Sequence, residues 1–319
     1  MKDSPQRKRQ PSRRAKSPSV QAALERPGAP SRPALRYHGG KWRLAPFILD
    51  HFPPHRIYVE PFCGAASILL RKEPSHGEII NDLDGSVVNF FRVCRDPKLS
   101  KRLLREIELT PFAREEFDQA YEETDDPVER ARRLAILAFM GFGSNAHCKR
   151  KTGFRANSNR SITTPAHDWR AWPKGLGEII ERLRGVVIEN RDARECMDQH
   201  DSPHTLHYVD PPYLFSTRSQ RSPSDATYRR YNHELLYDQE HLELLKFLDG
   251  LEGMVVLSGY PSALYDDTLK HWLRVTTAAH ADGAKDRTEV LWINPAAAAA
   301  IDPRVLTGDQ LAMFGTETA

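Results

Sequence analysis

One short run constrains this chain more than any other: Leu206-His207-Tyr208-Val209-Asp210-Pro211-Pro212-Tyr213. Its first half is apolar and aromatic and reads as a strand. Two prolines then forbid helix continuation, remove two backbone N–H groups and leave two bare carbonyls. The chain must leave a buried strand through a stiff turn that keeps a carboxylate, a carbonyl and a Tyr ring close together. The carboxyl end of a strand is where open α/β sheets place their ligands. An ordinary strand-ending Asp-Pro turn fits the same residues, so the rest of the chain has to decide.

The rest of the chain supplies the sheet. A strand over 57–60 is followed by the small-residue turn Pro61-Phe62-Cys63-Gly64-Ala65-Ala66-Ser67 and an expected helix over 68–71. Strand, turn and helix form the first unit of a nucleotide-binding α/β fold. The next strand, 78–81, ends at Asp82, 18 positions past Gly64, where a carboxylate commonly grips ribose hydroxyls. Asp84 is the expected cap of a helix over 86–93. With no GxGxxG, an adenosine-bearing cofactor is expected ahead of a dinucleotide. Upstream, Gly39-Gly40-Lys41 opens a helical stretch to Asp50, which allows close backbone approach and offers a Lys to a carboxylate. Further strands are expected at 185–189, 254–258, 273–279 and 288–294, making seven, the last two antiparallel across a short Asp-Gly connection. Helices are expected at 239–248, capped by Asp238, and at 262–272.

Residues 98–184 interrupt this alternation with helices expected at 99–109, 113–121 and 127–140, the last capped by Asp126 with Pro127 at its first position. From Arg130 through His167 there is no Asp or Glu but eight Lys/Arg. A solvated surface usually mixes both signs, so this run favours nucleic-acid contact over a merely basic face. Asn145, Lys149, Arg150, Lys151, Arg155, Asn157 and Arg160 are the candidate DNA-binding residues.

Net charge is only +3, but residues 1–36 carry ten Lys/Arg against Asp3 and Glu25. Residues 1–33 lack large apolar side chains and are expected to be a disordered basic tail. A second tail is expected at 299–319, and 215–231 as a polar loop over the site. Cys63, Cys94, Cys148 and Cys196 have no CxxC spacing, which argues for free thiols in a reducing compartment. The longest apolar run, nine residues from Leu134, cannot span a bilayer. His200, His204 and His207 straddle a loop and a strand start, so a metal site is not expected.

In combination, Tyr37 with Gly39-Gly40-Lys41, Glu60-Pro61-Phe62-Cys63-Gly64, Asn81-Asp82, Asp192, Asp210-Pro211-Pro212-Tyr213 and Arg287-Thr288-Glu289-Val290-Leu291-Trp292 resemble the Dam-type N6-adenine DNA methyltransferases, over about 35–295. This sequence has Tyr37 where the family usually has Trp, and Ala66 where it has a second glycine. The resemblance implies an α/β, Rossmann-like seven-stranded methyltransferase sheet with a mostly helical target-recognition insertion. The catalytic domain is then 34–97 with 185–298, and the insertion 98–184. It implies S-adenosyl-L-methionine as cofactor, bound near Tyr37, Gly39, Gly40, Lys41, Glu60, Pro61, Phe62, Gly64, Asp82 and Asp210, with Asp192 on the cofactor's adenine amino group. Asp210, Pro211, Pro212 and Tyr213 become the catalytic residues. Asp210 and the Pro211 carbonyl would take the hydrogens of a flipped adenine's amino group, while Tyr213 stacks on the base. Double-stranded DNA is the implied partner, in the cytoplasm at the nucleoid, with a restriction endonuclease as a candidate partner and the oligomeric state open. Two readings compete: a methyltransferase acting on RNA or another amino group, and a catalytically inactive DNA-binding relative.

Overall fold

The computed structural model describes residues 29–142, 151–157, 163–218, 235, 237–280 and 286–306. Its strands are β1 (Ile57–Glu60), β2 (Gly77–Asn81), β3 (Val186–Glu189), β4 (Thr205–Val209), β5 (Met254–Gly259), β6 (Leu273–His280) and β7 (Asp286–Ile293). They form one sheet in the order β3-β2-β1-β4-β5-β7-β6. β1 pairs in parallel with β2 and β4, and β4 with β5, whereas β7 runs antiparallel between β5 and β6. The expected seven strands and antiparallel closing pair are therefore present.

The helices are α1 (Ala45–Asp50), α2 (Gly85–Arg95), α3 (Leu99–Leu109), α4 (Arg114–Gln119), α5 (Pro127–Met140), α6 (Pro165–Arg182), α7 (Ala193–His200), α8 (Phe215–Arg218), α9 (Asp238–Asp249), α10 (Ala263–Thr268) and α11 (Pro295–Ala300). Side chains alternate across a strand, so neighbours on β1 serve opposite layers. Tyr58 packs in the cluster that holds α2, α5 and α6; Val59 packs with α7, α9, Trp272 and Trp292. Every residue of β4 is buried, as expected of a parallel strand covered on both faces.

The 98–184 segment shares the first of these clusters. It is also fastened to the sheet by charge. Glu78 on β2 accepts from Arg182 at 2.6 and 2.8 Å and from Lys72 at 2.7 Å, all three being buried.

Several boundaries differ from expectation. The stretch 68–71 is a run of turns, entered from Ala66 at a left-handed φ of 50°. The first helix starts at Ala45 rather than 42, and α10 ends at Thr268. α9 begins one residue earlier than expected; its cap is Tyr237, whose N–H donates to Glu240. Described residues within both expected tails are fastened to the fold. Ser31 donates to Glu178 of α6 through its N–H and hydroxyl, while Ile301 and Leu306 are buried in the core. The expected 215–231 loop starts as α8; 219–231 lies outside the described residues.

Candidate active site

The chain builds outward from β1 to β2 and β3 on one side, then from β4 to β5 on the other. The order therefore reverses between β1 and β4, and their carboxyl ends diverge into a crevice. Glu60 closes β1, Asp82 follows β2 and Asp210 follows β4. All three line one pocket of about 890 Å³, open to solvent at its mouth, together with Tyr37, Gly64 and Pro212.

The turn after β1 is shaped for close approach. Gly64 has φ 47°, and a Cβ there would lie 2.8 Å from Cε1 of Tyr37. Its N–H donates to Oδ2 of Asp82 over 2.9 Å, and Oδ1 accepts from the Asp84 N–H over 2.9 Å. Asn81 donates to the Pro61 and Arg191 carbonyls, tying this turn to the end of β3. Glu60 is buried, accepting from the Tyr58 hydroxyl at 2.9 Å and the Leu69 N–H at 3.0 Å. Burial pushes its carboxyl up to about 8.

Asp210 is held from two sides. Ser258 Oγ donates to Oδ1 over 2.8 Å, and Lys41 Nζ donates to Oδ2 over 2.8 Å. Lys41 also donates to the Gly39 carbonyl and lies over the Tyr213 ring, 4.7 Å from its centroid. The Tyr213 hydroxyl donates to Glu289 of β7, and its ring meets Tyr260 edge-on at 4.6 Å. Thus Tyr37, Gly39, Gly40, Lys41, Glu60, Pro61, Phe62, Gly64, Asp82, Asp210 and Pro212 come together at the pocket wall. Pro211 is buried between Asp210 and Pro212, and Tyr213 stands beside Lys41.

Three expectations change. Lys41 is turned toward Asp210, so its ammonium is already engaged with a carboxylate of the protein. Asp192 is not among the pocket's lining residues; it caps α7, accepting from the Arg194 N–H at 2.8 Å. Arg155 is buried: its guanidinium donates to the Phe139 carbonyl over 2.8 Å, which fastens 151–157 to the end of α5. Lys151 and Asn157 are exposed, while Asn145, Lys149, Arg150 and Arg160 lie outside the described residues. The acid-free run is also less free in space than in sequence. Arg132 pairs with Glu116 and Glu129, Arg133 with Glu129, and Arg130 donates to Asn89.

Ser258, Tyr208 and Glu289 were not singled out as site residues. For Ser258 the available signal was a lone polar residue on an otherwise apolar, buried strand. Among the described residues no cluster of His, Cys, Asp and Glu suits a metal ion.

Comparison with known proteins agrees with this geometry. Residues 37–280 match the family described as D12 class N6 adenine-specific DNA methyltransferase. The chain is 24% identical to a DNA adenine methylase of Escherichia coli K12 over 199 residues, 57% of this chain and 65% of that protein. It thus spans just under two thirds of that relative's length. A DNA adenine methylase of Salmonella typhi is 24% identical over 73% of this chain and 82% of its own length. One of Serratia marcescens is 25% identical over 76% and 88%.

Proposed function

Because the chain belongs to the D12 class of N6 adenine-specific DNA methyltransferases, we propose that it methylates N6 of adenine in a specific double-stranded DNA sequence, using S-adenosylmethionine. The observation that carries this reading is Asp210 and Pro212 lining the same pocket as the Gly64 turn and Asp82.

The pocket suits that cofactor. Among its described lining residues Asp82, Asp84 and Asp210 stand against one lysine, with Glu60 counted as neutral because burial raises its carboxyl to about 8, a balance that favours a ligand carrying positive charge. Asp82 is the candidate for the ribose hydroxyls, the 60–64 turn and Tyr37 for the body of the cofactor, and the Gly39-Gly40 loop for close backbone approach. When bound, S-adenosylmethionine supplies an electrophilic methyl group, whose transfer moves one positive charge from sulfur to the acceptor nitrogen.

Asp210 and the Pro211 carbonyl are the acceptors for an adenine amino group. The lone pair of that nitrogen is delocalised into the ring, and two acceptors on its hydrogens favour the pyramidal form that localises it. Asp210 then acts by orientation and by its charge, with Ser258 fixing the plane of the carboxylate. A base within a duplex cannot reach a crevice at the sheet's end, so it is flipped out and stacks on Tyr213. The hydroxyl bond to Glu289 holds that ring in place.

Residues 34–97 and 185–298 form the catalytic part in this reading, and 98–184 the part that recognises DNA, with Lys151 and Asn157 among its contacts. The protein works beside DNA in the bacterial cytoplasm; among the described residues no helix is long and apolar enough to cross a membrane. The test is transfer of tritiated methyl from S-adenosylmethionine to duplex DNA and to RNA. Label is expected in N6-methyladenine of DNA. Label confined to RNA, or none from folded protein, would overturn the proposal.

A further inference from the structure

Asp210 belongs to a three-charge cluster. Lys41 Nζ, bonded to Oδ2 of Asp210 at 2.8 Å, lies 3.7 Å from Oε1 of Glu289. Glu289 is 3% exposed and accepts the hydroxyl of Tyr213, the ring under Lys41. One cation is thus shared by two carboxylates, one just past β4 and one on β7, beside the aromatic three residues past Asp210.

Charge gives this arrangement a role. In methyl transfer the new N–C bond uses the lone pair of the acceptor nitrogen, and the C–S electron pair stays on sulfur. The nitrogen is cationic until its surplus proton leaves for water. A lysine on Asp210 opposes that cation, and Asp210 with Lys41 alone sums to zero. An ionised Glu289 makes the three groups net negative and offers the ammonium a second counter-charge a short movement away. Resting on the methyl-transfer reading, we propose that Glu289 is a positioning residue: it draws Lys41 off Asp210 when the target amino group engages that carboxylate, leaving Asp210 negative through the transfer.

Burial raises the Glu289 carboxyl, with Asp210 pushing the same way and Lys41 and the Tyr213 hydroxyl drawing it down. The titratable groups around the cluster are Asp210, Lys41, Tyr213, Tyr208 and Glu60. The ionised form is the working one, so the rate falls as pH drops through this raised value.

Glu289→Gln keeps the shape and an acceptor for Tyr213. Its single-turnover methylation rate is expected to fall roughly ten- to hundredfold, with affinities for S-adenosylmethionine and duplex DNA unchanged and the acid limb of the wild-type pH profile absent. Tyr213→Phe removes the hydroxyl but keeps the charge, and is expected to retain that limb. In ligand-free protein, carboxyl ¹³C NMR is expected to show two Glu resonances titrating above the ordinary range, those of Glu60 and of Glu289, the latter being the one bonded to the Tyr213 hydroxyl. Its shift in Tyr213→Phe identifies it, so this arm does not need Glu289→Gln to fold. A Glu289→Gln profile matching wild type, loss of the acid limb in Tyr213→Phe, or an ordinary Glu289 titration would overturn the proposal while leaving wild-type methylation standing. A wild type that methylates no DNA adenine would remove the underlying reading and this proposal with it.

Discussion

Ser258 Oγ donates to Oδ1 of Asp210 over 2.8 Å, joining the ends of β5 and β4 at the point where the Asp210-Pro211-Pro212-Tyr213 turn begins. The Tyr208 hydroxyl lies 3.1 Å from the same Oγ. Burial holds the Tyr208 phenol well above its usual range, so it remains a donor and leaves the Ser258 proton for Asp210. The carboxylate is thereby oriented by a chain of two buried hydroxyls.

Removing that chain should affect rate more than binding. A hydrogen bond to a charged group contributes about 1.5–3 kcal/mol, so Ser258→Ala is expected to lower kcat roughly tenfold or more, with little change in KM for DNA. Steady-state kinetics check this. An unchanged kcat would show that Lys41 and the turn orient Asp210 without help.

Gly64→Ala should damage the cofactor turn. Its φ of 47° is unfavourable for any residue with a Cβ, and the added atom would lie 2.8 Å from the Tyr37 ring. The backbone strain is of order 1–3 kcal/mol, and Tyr37 must move out of the pocket wall. Calorimetry with S-adenosylmethionine is expected to show weaker affinity alongside a lower unfolding midpoint in urea.

How far the sequence was legible depended on whether the deciding contact was local. β1 at Ile57–Glu60 and α5 at Pro127–Met140 follow from neighbouring residues, an apolar run in one case and the Asp126-Pro127 cap in the other. The positive φ of Ala66 is not local in this sense, since alanine carries no sign of it and the expected helix at 68–71 dissolves into turns. Charge misled for the same reason. Arg132 sits in an acid-free run from 130 onward, yet Glu116, sixteen residues upstream, reaches it at 2.7 Å. Asp210 and Asp82 were legible as strand-end carboxylates because strand ends are predictable, Glu60 came only with the resemblance, and all three line one pocket. Glu289 was missed as a site residue because only the antiparallel insertion of β7 beside β5 brings it to Lys41.

Glu60 should make stability depend on pH. Burial raises its carboxyl from 4.5 to about 8. The folded state therefore favours the protonated form, and its contribution is fully present below about 4.5 and lost as pH rises to about 8. The slope is at most about 1.4 kcal/mol per pH unit. Glu60→Gln mimics the neutral carboxyl and is expected to flatten this part of the profile in urea titrations run across that window. A slope unchanged by the substitution would mean that other groups carry it.

Lys151 and Arg155 should separate cleanly although they stand four residues apart. Lys151 is exposed and is expected to contact phosphate, so Lys151→Ala should weaken DNA binding and reduce the salt slope of log K by about one, with no loss of stability. Arg155 is buried on the Phe139 carbonyl, so Arg155→Ala should cost about 1–3 kcal/mol in unfolding free energy while the salt slope stays. Binding isotherms at several salt concentrations, paired with urea melts, check both.

The most direct measurement compares the wild type with Asp210→Ala by methyl-base sequencing of DNA from a host that lacks adenine methylation. Wild type is expected to leave N6-methyladenine at one recurring sequence. Asp210→Ala, folded as judged by its unfolding curve, is expected to leave none. Undiminished adenine methylation by Asp210→Ala, or its absence with folded wild-type protein, would contradict the account.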